Sequence, residues 1–388
     1  MFAFIALLSG EKASTSPFNA VHPSKRGKGV QADRHRSVAR PLEVHGLRML
    51  ELTERLSSVM KDAEIDDLSA RDPVVNAFHT FAQLNNVAVS GEIQLVPEGS
   101  YREILNERAS ERNSDLILLP WSETGSFSEG VTANMTEVAQ TAFSNSYYNQ
   151  FVTNFLDTVS CNAAILINNG FGTLPKEDTQ ALRRVPTNLS IRSHPILPTA
   201  PLVNTNHHIF FPFIGGLDDR VALRFVLRLA RNPNVTATIV LVKSTDRVSQ
   251  PTNEISGFIT PGSTERGKFA TTSSQEMISG QDQAFFSAMS DSLSGDLRDR
   301  VLFDSIETTQ PLRDSVEKAR VEVGLTSESA GDLVVVGRHQ RTRTAVTDHH
   351  IPTDNELVQS IGTYAEAMIT NHLKASVLVI QAGTMVQV

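Results

Sequence analysis

The sequence predicts an α/β fold made of two tandem units, each built on a parallel five-stranded sheet. Three observations predict it. Short apolar runs alternate with amphipathic stretches at helical spacing along most of the chain, the order expected of strand–helix–strand crossovers. Several runs are continuous, Leu116-Ile-Leu-Leu119 and Leu333-Val-Val-Val336 among them, which suits strands covered on both faces. The pattern also occurs twice. Asp115-Leu-Ile-Leu-Leu-Pro120 pairs with Asp332-Leu-Val-Val-Val-Gly337, and Ala164-Ile-Leu-Ile-Asn168 with Ser376-Val-Leu-Val-Ile380, at nearly the same separation.

The elements follow in order. Met1 to Leu8 reads as a buried strand, and residues 10–40 as a basic, Pro- and Gly-broken loop. Those basic residues suit either a solvated connector or a patch facing a membrane or acidic partner. Leu42 to Leu52 is a strand. Asp72-Pro73 opens a helix, with Asp as cap and Pro at the first position, burying Val74, Phe78, Phe81 and Ala82. Val87 to Val96 is a strand, Tyr101 to Ala109 a helical stripe, and Leu116 to Leu119 a buried strand. A helix carrying Phe151, Phe155 and Val159 leads to the strand Ala163 to Ile167. Residues 172–205 hold five prolines and little periodicity, the mark of a linker. The order then restarts with a strand at His208 to Ile214, a helix started by Asp218 or Asp219, and a strand at Val235 to Val242. Residues 244–280 are rich in Ser, Thr and Gly and read as mobile. Helices follow at Phe285–Met289, Leu312–Val323 and, as one last helix, Leu357–Met368, with strands at Val301–Glu307, Leu333–Val336 and Val377–Ile380. The domains expected are 1–171, with an irregular stretch at 10–40, and 206–388, joined by the linker 172–205.

Composition narrows the function. The 388 residues suit two or three domains at about 150 residues each. A formal net charge of −8 argues against a nucleic-acid binder. One cysteine, Cys161, excludes a disulfide framework and fits a reducing compartment. No apolar run reaches the roughly 20 residues a membrane helix needs, so this chain is expected to be soluble by itself.

Several segments carry a family resemblance. Leu47-Arg-Met-Leu-Glu-Leu-Thr-Glu-Arg55, Phe213-Ile-Gly-Gly-Leu-Asp-Asp-Arg-Val-Ala-Leu223, Asp332-Leu-Val-Val-Val-Gly-Arg338 and Ser376-Val-Leu-Val-Ile-Gln381 are the segments that bear it, with Asn154 and Ser160-Cys161. They resemble the cytosolic tail of monovalent cation/proton antiporters, the plant cation/H+ exchangers and the fungal Kha-type K+/H+ exchangers. That tail has tandem units of the universal stress protein type, a fold that binds adenosine nucleotides. The resemblance implies a regulatory role at the cytosolic face of an intracellular membrane. It implies a transmembrane antiporter domain as partner, absent from this chain, and it admits a homodimer; no nucleic-acid partner is implied.

The residues that carry a binding site lie in the second unit. Gly215 and Gly216 follow a buried strand and precede a helix, where backbone can approach a ligand closely and free amides attract phosphate or carboxylate. Asp218 or Asp219 either caps that helix beside Arg220 or, as the resemblance implies, meets a ribose or adenine. Gly337 and Arg338 end another strand, and ligands in open α/β sheets bind at the carboxyl ends of strands. The resemblance implies that backbone near Val242 frames the adenine and that Gly337, Arg338, Gly362 and Thr363 hold phosphate. Gln340 stands where the family's second phosphate-loop glycine belongs, which favours AMP or adenosine over ATP as the nucleotide. Arg341 and Arg343 offer compensating charge or form a solvated loop. Domain one has Pro120-Trp121 at the equivalent place.

Catalytic readings are thinner, and no enzyme is expected. Gly215-Gly-Leu-Asp218 echoes the loop of ATP pyrophosphatases, but Ile214 and Asp219 replace its serines; a nucleotide hydrolase of that type is the alternative, and a ligand-free interaction scaffold a second one. Cys161 reads as core. His207-His208 point to opposite strand faces and His349-His350 lack zinc-site spacing, so no metal is expected. Trp121, Tyr147 and Tyr148 read as packing residues.

Overall fold

A computed structural model describes residues 2–9, 42–51, 71–85, 87–121, 143, 146–171, 206–245, 268–324, 331–339 and 356–384. The expectations for the linker 172–205, for the loop 10–40, for Gln340, Arg341, Arg343 and for His349-His350 lie outside these residues, as does 246–267 of the segment read as mobile.

The first half contains α1 (Phe2–Leu8), β1 (Glu43–Glu51), α2 (Pro73–Asn85), β2 (Ala88–Val96), α3 (Tyr101–Glu111), β3 (Leu116–Pro120), α4 (Ser146–Thr158) and β4 (Asn162–Ile167). The second contains β5 (His207–Phe213), α5 (Leu217–Leu229), β6 (Val235–Ser244), α6 (Lys268–Asp291), α7 (Gly295–Arg300), β7 (Val301–Thr308), α8 (Pro311–Glu322), β8 (Asp332–Gly337), α9 (Glu356–Ile361), α10 (Thr363–Thr370) and β9 (Ala375–Gln381). The α/β class with mostly parallel strands is as the sequence predicts.

The sheets are arranged differently from the expectation. The second half forms five parallel strands in the order β7-β6-β5-β8-β9. The sheet does not stop there. β4 pairs antiparallel with β9, Ile165 opposite Val379, and β3 adds in parallel beyond it, giving seven strands through both halves. β1 and β2 form a separate parallel pair. Two five-stranded sheets were expected; among the described residues there are one seven-stranded sheet and one pair. The reason is visible in the edge strands: β4 and β9 are both apolar on both faces, and each covers the other's open edge.

The core lies on both faces of the large sheet, and the two-residue period of the strands sorts side chains between them. Val334 and Val336 pack with Val152, Phe155, Ile361 and Met368 on one face. Leu333 and Val335 pack with Leu223, Val226 and Leu229 of α5 on the other. Such strands, buried on both sides, explain the continuous apolar runs.

Local differences have physical causes. The run expected as a strand at Met1 to Leu8 is a helix over its described residues Phe2–Leu8, with Phe4 stacked on Phe171 at 4.6 Å and near Phe225 of α5; a short apolar run has no period that separates strand from helix. Asp72 caps α2 as expected, its Oδ1 accepting from the Val74 and Val75 amides at 2.9 Å each. In α2 Ala82 is buried and Phe78 and Phe81 are half-buried as expected, but Val75 takes the inward place expected for Val74, which is 48% exposed. α6 begins at Lys268, inside the stretch read as mobile. The last helix is two, broken at Gly362, whose φ of +86° suits glycine and whose added Cβ would strike the Arg338 carbonyl oxygen.

Candidate functional site

The carboxyl ends of β5, β8 and β9 meet the start of α5, and most of the residues singled out in the sequence converge there. β5 delivers Ile214, Gly215 and Gly216 into a turn. Gly215 has φ +115° and Gly216 φ +89°, conformations only glycine adopts without strain. α5 then starts at Leu217, with Gly216 as its cap.

The two aspartates face inward, onto backbone. Asp219 is fully buried, and its Oδ2 accepts from the Ile214 amide at 2.6 Å and the Gly215 amide at 2.9 Å. Asp218 Oδ1 accepts from the Ala382 amide at 2.8 Å and its Oδ2 from the His339 amide at 3.0 Å. Asp218 thereby ties the ends of β8 and β9 to α5. Burial pushes its carboxyl pKa up, against the pull of those two amides. Each aspartate holds strand ends, where the sequence left open a helix cap or a ligand contact.

Two residues that sequence reasoning passed over complete the cluster. Asp282 of α6 accepts from the Gly216 amide at 2.9 Å and from Arg220 Nε at 2.7 Å, so the amide at the helix start already has a carboxylate on it. His339, just after β8, places Nε2 3.0 Å from Asp219 Oδ1. Burial works against its charge, but the carboxylates of Asp219, Asp218 and Asp282 outweigh it and raise the imidazole pKa. Neither residue had a sequence signal: Asp282 lies in a Ser- and Gln-rich helix, and His339 lies three residues past Val336, the expected strand end.

The remaining candidates divide. Gly337 is packed against this cluster, and a Cβ there would strike Asp219 Oδ1. Gly216 is different, since nothing lies within 4 Å of the position a Cβ would take. Val242 is buried at 5% exposure in β6, its side chain in the core. Gly362 and Thr363 begin α10. Arg338 is 1% exposed and does not point to this crevice as a phosphate clamp would. It donates to Asp157 Oδ1 at 3.0 Å, Gln381 Oε1 at 2.6 Å and the Gln359 carbonyl at 2.8 Å, pinning α4 of the first half to the second.

Elsewhere, His207 and His208 take separate partners: His207 Nδ1 lies 3.1 Å from the Gly331 carbonyl oxygen, and His208 Nδ1 2.9 Å from Thr236 Oγ1. Burial raises the Cys161 thiol pKa, away from a nucleophile's range. Trp121 meets Tyr148 edge-on at 5.1 Å as packing. Among the described residues no group of three or more His, Cys, Asp or Glu is placed to hold a metal ion, and no helix is long and apolar enough to cross a membrane.

The mostly parallel α/β sheet, with its aspartate cluster at the strands' carboxyl ends, gives the fold class. Known proteins then narrow it. Residues 44–171 match the family model described as plant cation/H(+) antiporter domain. Cation/H(+) antiporter 17 of Arabidopsis thaliana is 23% identical over 225 residues, covering 54% of this chain and 23% of that protein. Cation/H(+) antiporter 15 of the same plant is 22% identical over 231 residues, covering 57% of this chain and 22% of the relative. The chain thus matches less than a quarter of the length of either curated relative. Among solved structures, a universal stress protein from Archaeoglobus fulgidus DSM 4304 aligns over 88% of this chain and 86% of its own, at 11% identity and a TM-score of 0.38. A putative universal stress protein from Pseudomonas aeruginosa UCBPP-PA14 covers 86% and 92%, with 11% identity and a TM-score of 0.32. The resemblance to cation/proton antiporters, read from sequence segments, is shown by the family model and by both plant relatives.

Proposed function

We propose that this chain is the regulatory cytosolic region of a monovalent cation/proton antiporter and acts on a membrane domain outside it. The observation that carries this reading is the match of residues 44–171 to the plant cation/H(+) antiporter domain, supported by relatives that match more than half of the chain. In this reading the chain's own role is to bind and relay, not to catalyse: the Asp218 and Asp219 carboxylates are already engaged by backbone amides and hold strand ends together.

The ligand of this reading is an adenine nucleotide, AMP or adenosine ahead of ATP, at the carboxyl-end crevice of the second half. The open space at Gly216 and the turn it makes support close backbone approach there. Asp218 and Asp219 would shape the turn from within, and recognition would fall to backbone at Gly215, Gly216, Val242, Gly362 and Thr363. Calorimetry on the full chain with adenosine, AMP, ADP and ATP tests it. Binding heat with AMP at least as favourable as with ATP is expected. An absence of heat with all four removes the nucleotide and leaves the antiporter reading to stand on its relatives.

A further inference from the structure

His339 stands out among the buried titratable groups because it joins three strand ends through one ring and one amide. Its amide is held by Asp218, which also holds Ala382 beyond β9. Its ring faces Asp219, which holds Ile214 and Gly215 beyond β5. The residue adopts φ +53°, a left-handed conformation that costs a non-glycine residue energy and persists only where its surroundings impose it.

We propose that His339 is a proton-operated latch: charged, it clamps the carboxyl ends of β5, β8 and β9 onto α5, and on losing its proton to solvent it releases them. The groups around the ring set the sign. α5 presents Asp218, Asp219 and Arg220, and α6 presents Asp282, paired with Arg220. α10 presents Tyr364, whose ring centre lies 5.9 Å from the imidazole and whose hydroxyl is held protonated by burial and by Asp219. β9 contributes the backbone amide of Ala382. The Arg338 guanidinium, next in the chain, is turned away to Asp157. With His339 charged, three carboxylates face two cations. When the proton leaves, they face Arg220 alone, in a site too buried for water to screen the excess. The ion pair becomes a contact between the Asp219 carboxylate and a neutral ring, which is weaker, and less is left to offset the left-handed backbone.

The sign is fixed by linkage. The imidazole binds its proton more tightly latched than released, so the latch is shut at and below the ordinary histidine value of 6.5 and opens as pH rises through the raised one. A cytosolic region built this way responds to alkalinisation. This holds whether or not a nucleotide binds, because its input is the proton alone.

The test is a pH titration of the wild-type chain by NMR, following the His339 ring and amide hydrogen exchange at His339 and Ala382. The ring is expected to titrate above 6.5. Opening at both amides, corrected for intrinsic exchange, is expected to rise about tenfold per pH unit between the released and latched values. The Arg338 amide, bonded to the Ile380 carbonyl within the sheet, is the control and stays protected. His339→Gln should flatten the pH dependence, and Asp219→Asn should bring the ring's titration back toward its ordinary value. A ring that titrates at or below 6.5, or amides whose opening is flat across that range, overturns the proposal, and both are read on the wild type even if a variant fails to fold.

Discussion

In the second half, β5 lies between β6 and β8 and nearly all of its residues are fully buried; in the first half, β1 has β2 as its partner within the pair, and its residues are half-buried between exposed Glu43 and Glu51. Both strands belong to the same strand–helix order. The difference is one of neighbours. β5 reads His-His-Ile-Phe-Phe-Pro-Phe, apolar on both faces, and helices cover both. β1 reads Glu-Val-His-Gly-Leu-Arg-Met-Leu-Glu and spends side chains on polar pairing: His45 meets Ser90 at 2.7 Å, and Arg48 reaches Asp72 at 3.3 Å. Leu47 and Met49 still lean on the large core, and Phe78 of α2 packs over Gly46. The same secondary structure thus yields a rigid platform in one half and a thinner attachment in the other. The candidate site sits on the platform.

That comparison breaks if one truncation costs the same in both places. Leu333→Ala, on β8 at 0% exposure, should destabilise the chain by about 2–5 kcal/mol, the range for a buried leucine whose site cannot collapse. Leu47→Ala, on half-buried β1, should cost about 1 kcal/mol, because less area leaves water in the first place. Urea unfolding of both variants measures this, and equal shifts would mean that β1 is held as tightly as β8. A second effect, within the same range, sharpens the link between the halves. Arg338→Ala removes a buried cation that joins α4 to α9 and β9. Losing one member of a buried pair costs about 3–5 kcal/mol. The half-exposed Asp157 can be rehydrated, so the lower end is expected. If Arg338→Ala instead leaves stability unchanged while abolishing nucleotide binding, the guanidinium is a phosphate clamp after all.

Much of this was legible in the sequence. Each strand of the second half lies within two residues of its expected bounds; β5, β6, β8 and β9, buried on both faces, announce themselves as mostly apolar runs. The Asp72-Pro73 helix start was legible for a local reason, a side chain bonding amides two and three residues on. The crevice was legible as a place, since Gly215-Gly216 and Gly337 mark strand ends. Its chemistry was not. Whether Asp218 and Asp219 look out to a ligand or back onto Ile214, His339 and Ala382 depends on residues up to 164 positions away. Asp282 and His339 join the cluster through tertiary packing with no local pattern, and the antiparallel β4–β9 seam depends on two distant edges finding each other.

The smallest effect concerns the far end of the platform. Glu322, at the end of α8, lies 3.6 Å from His208 Nε2 and accepts from Thr238 Oγ1 at 3.0 Å. The hydrogen bond from His208 and that from Thr238 pull its carboxyl pKa below the ordinary 4.5, and burial opposes them without prevailing. A depressed acid binds its proton more weakly folded than unfolded. Its stabilisation is therefore fully present above the ordinary value and drains away as pH falls through the lower folded one. Glu322→Gln keeps the shape and removes the titration. Thermal melts from pH 7 to pH 3 should show the variant less stable than the wild type near neutrality, with the gap closing in acid. The His339 latch moves stability the opposite way, in a window above 6.5, so the two ends of one sheet are separated by pH alone. A gap that persists unchanged at pH 3 would assign the loss to packing of the glutamate rather than to its charge.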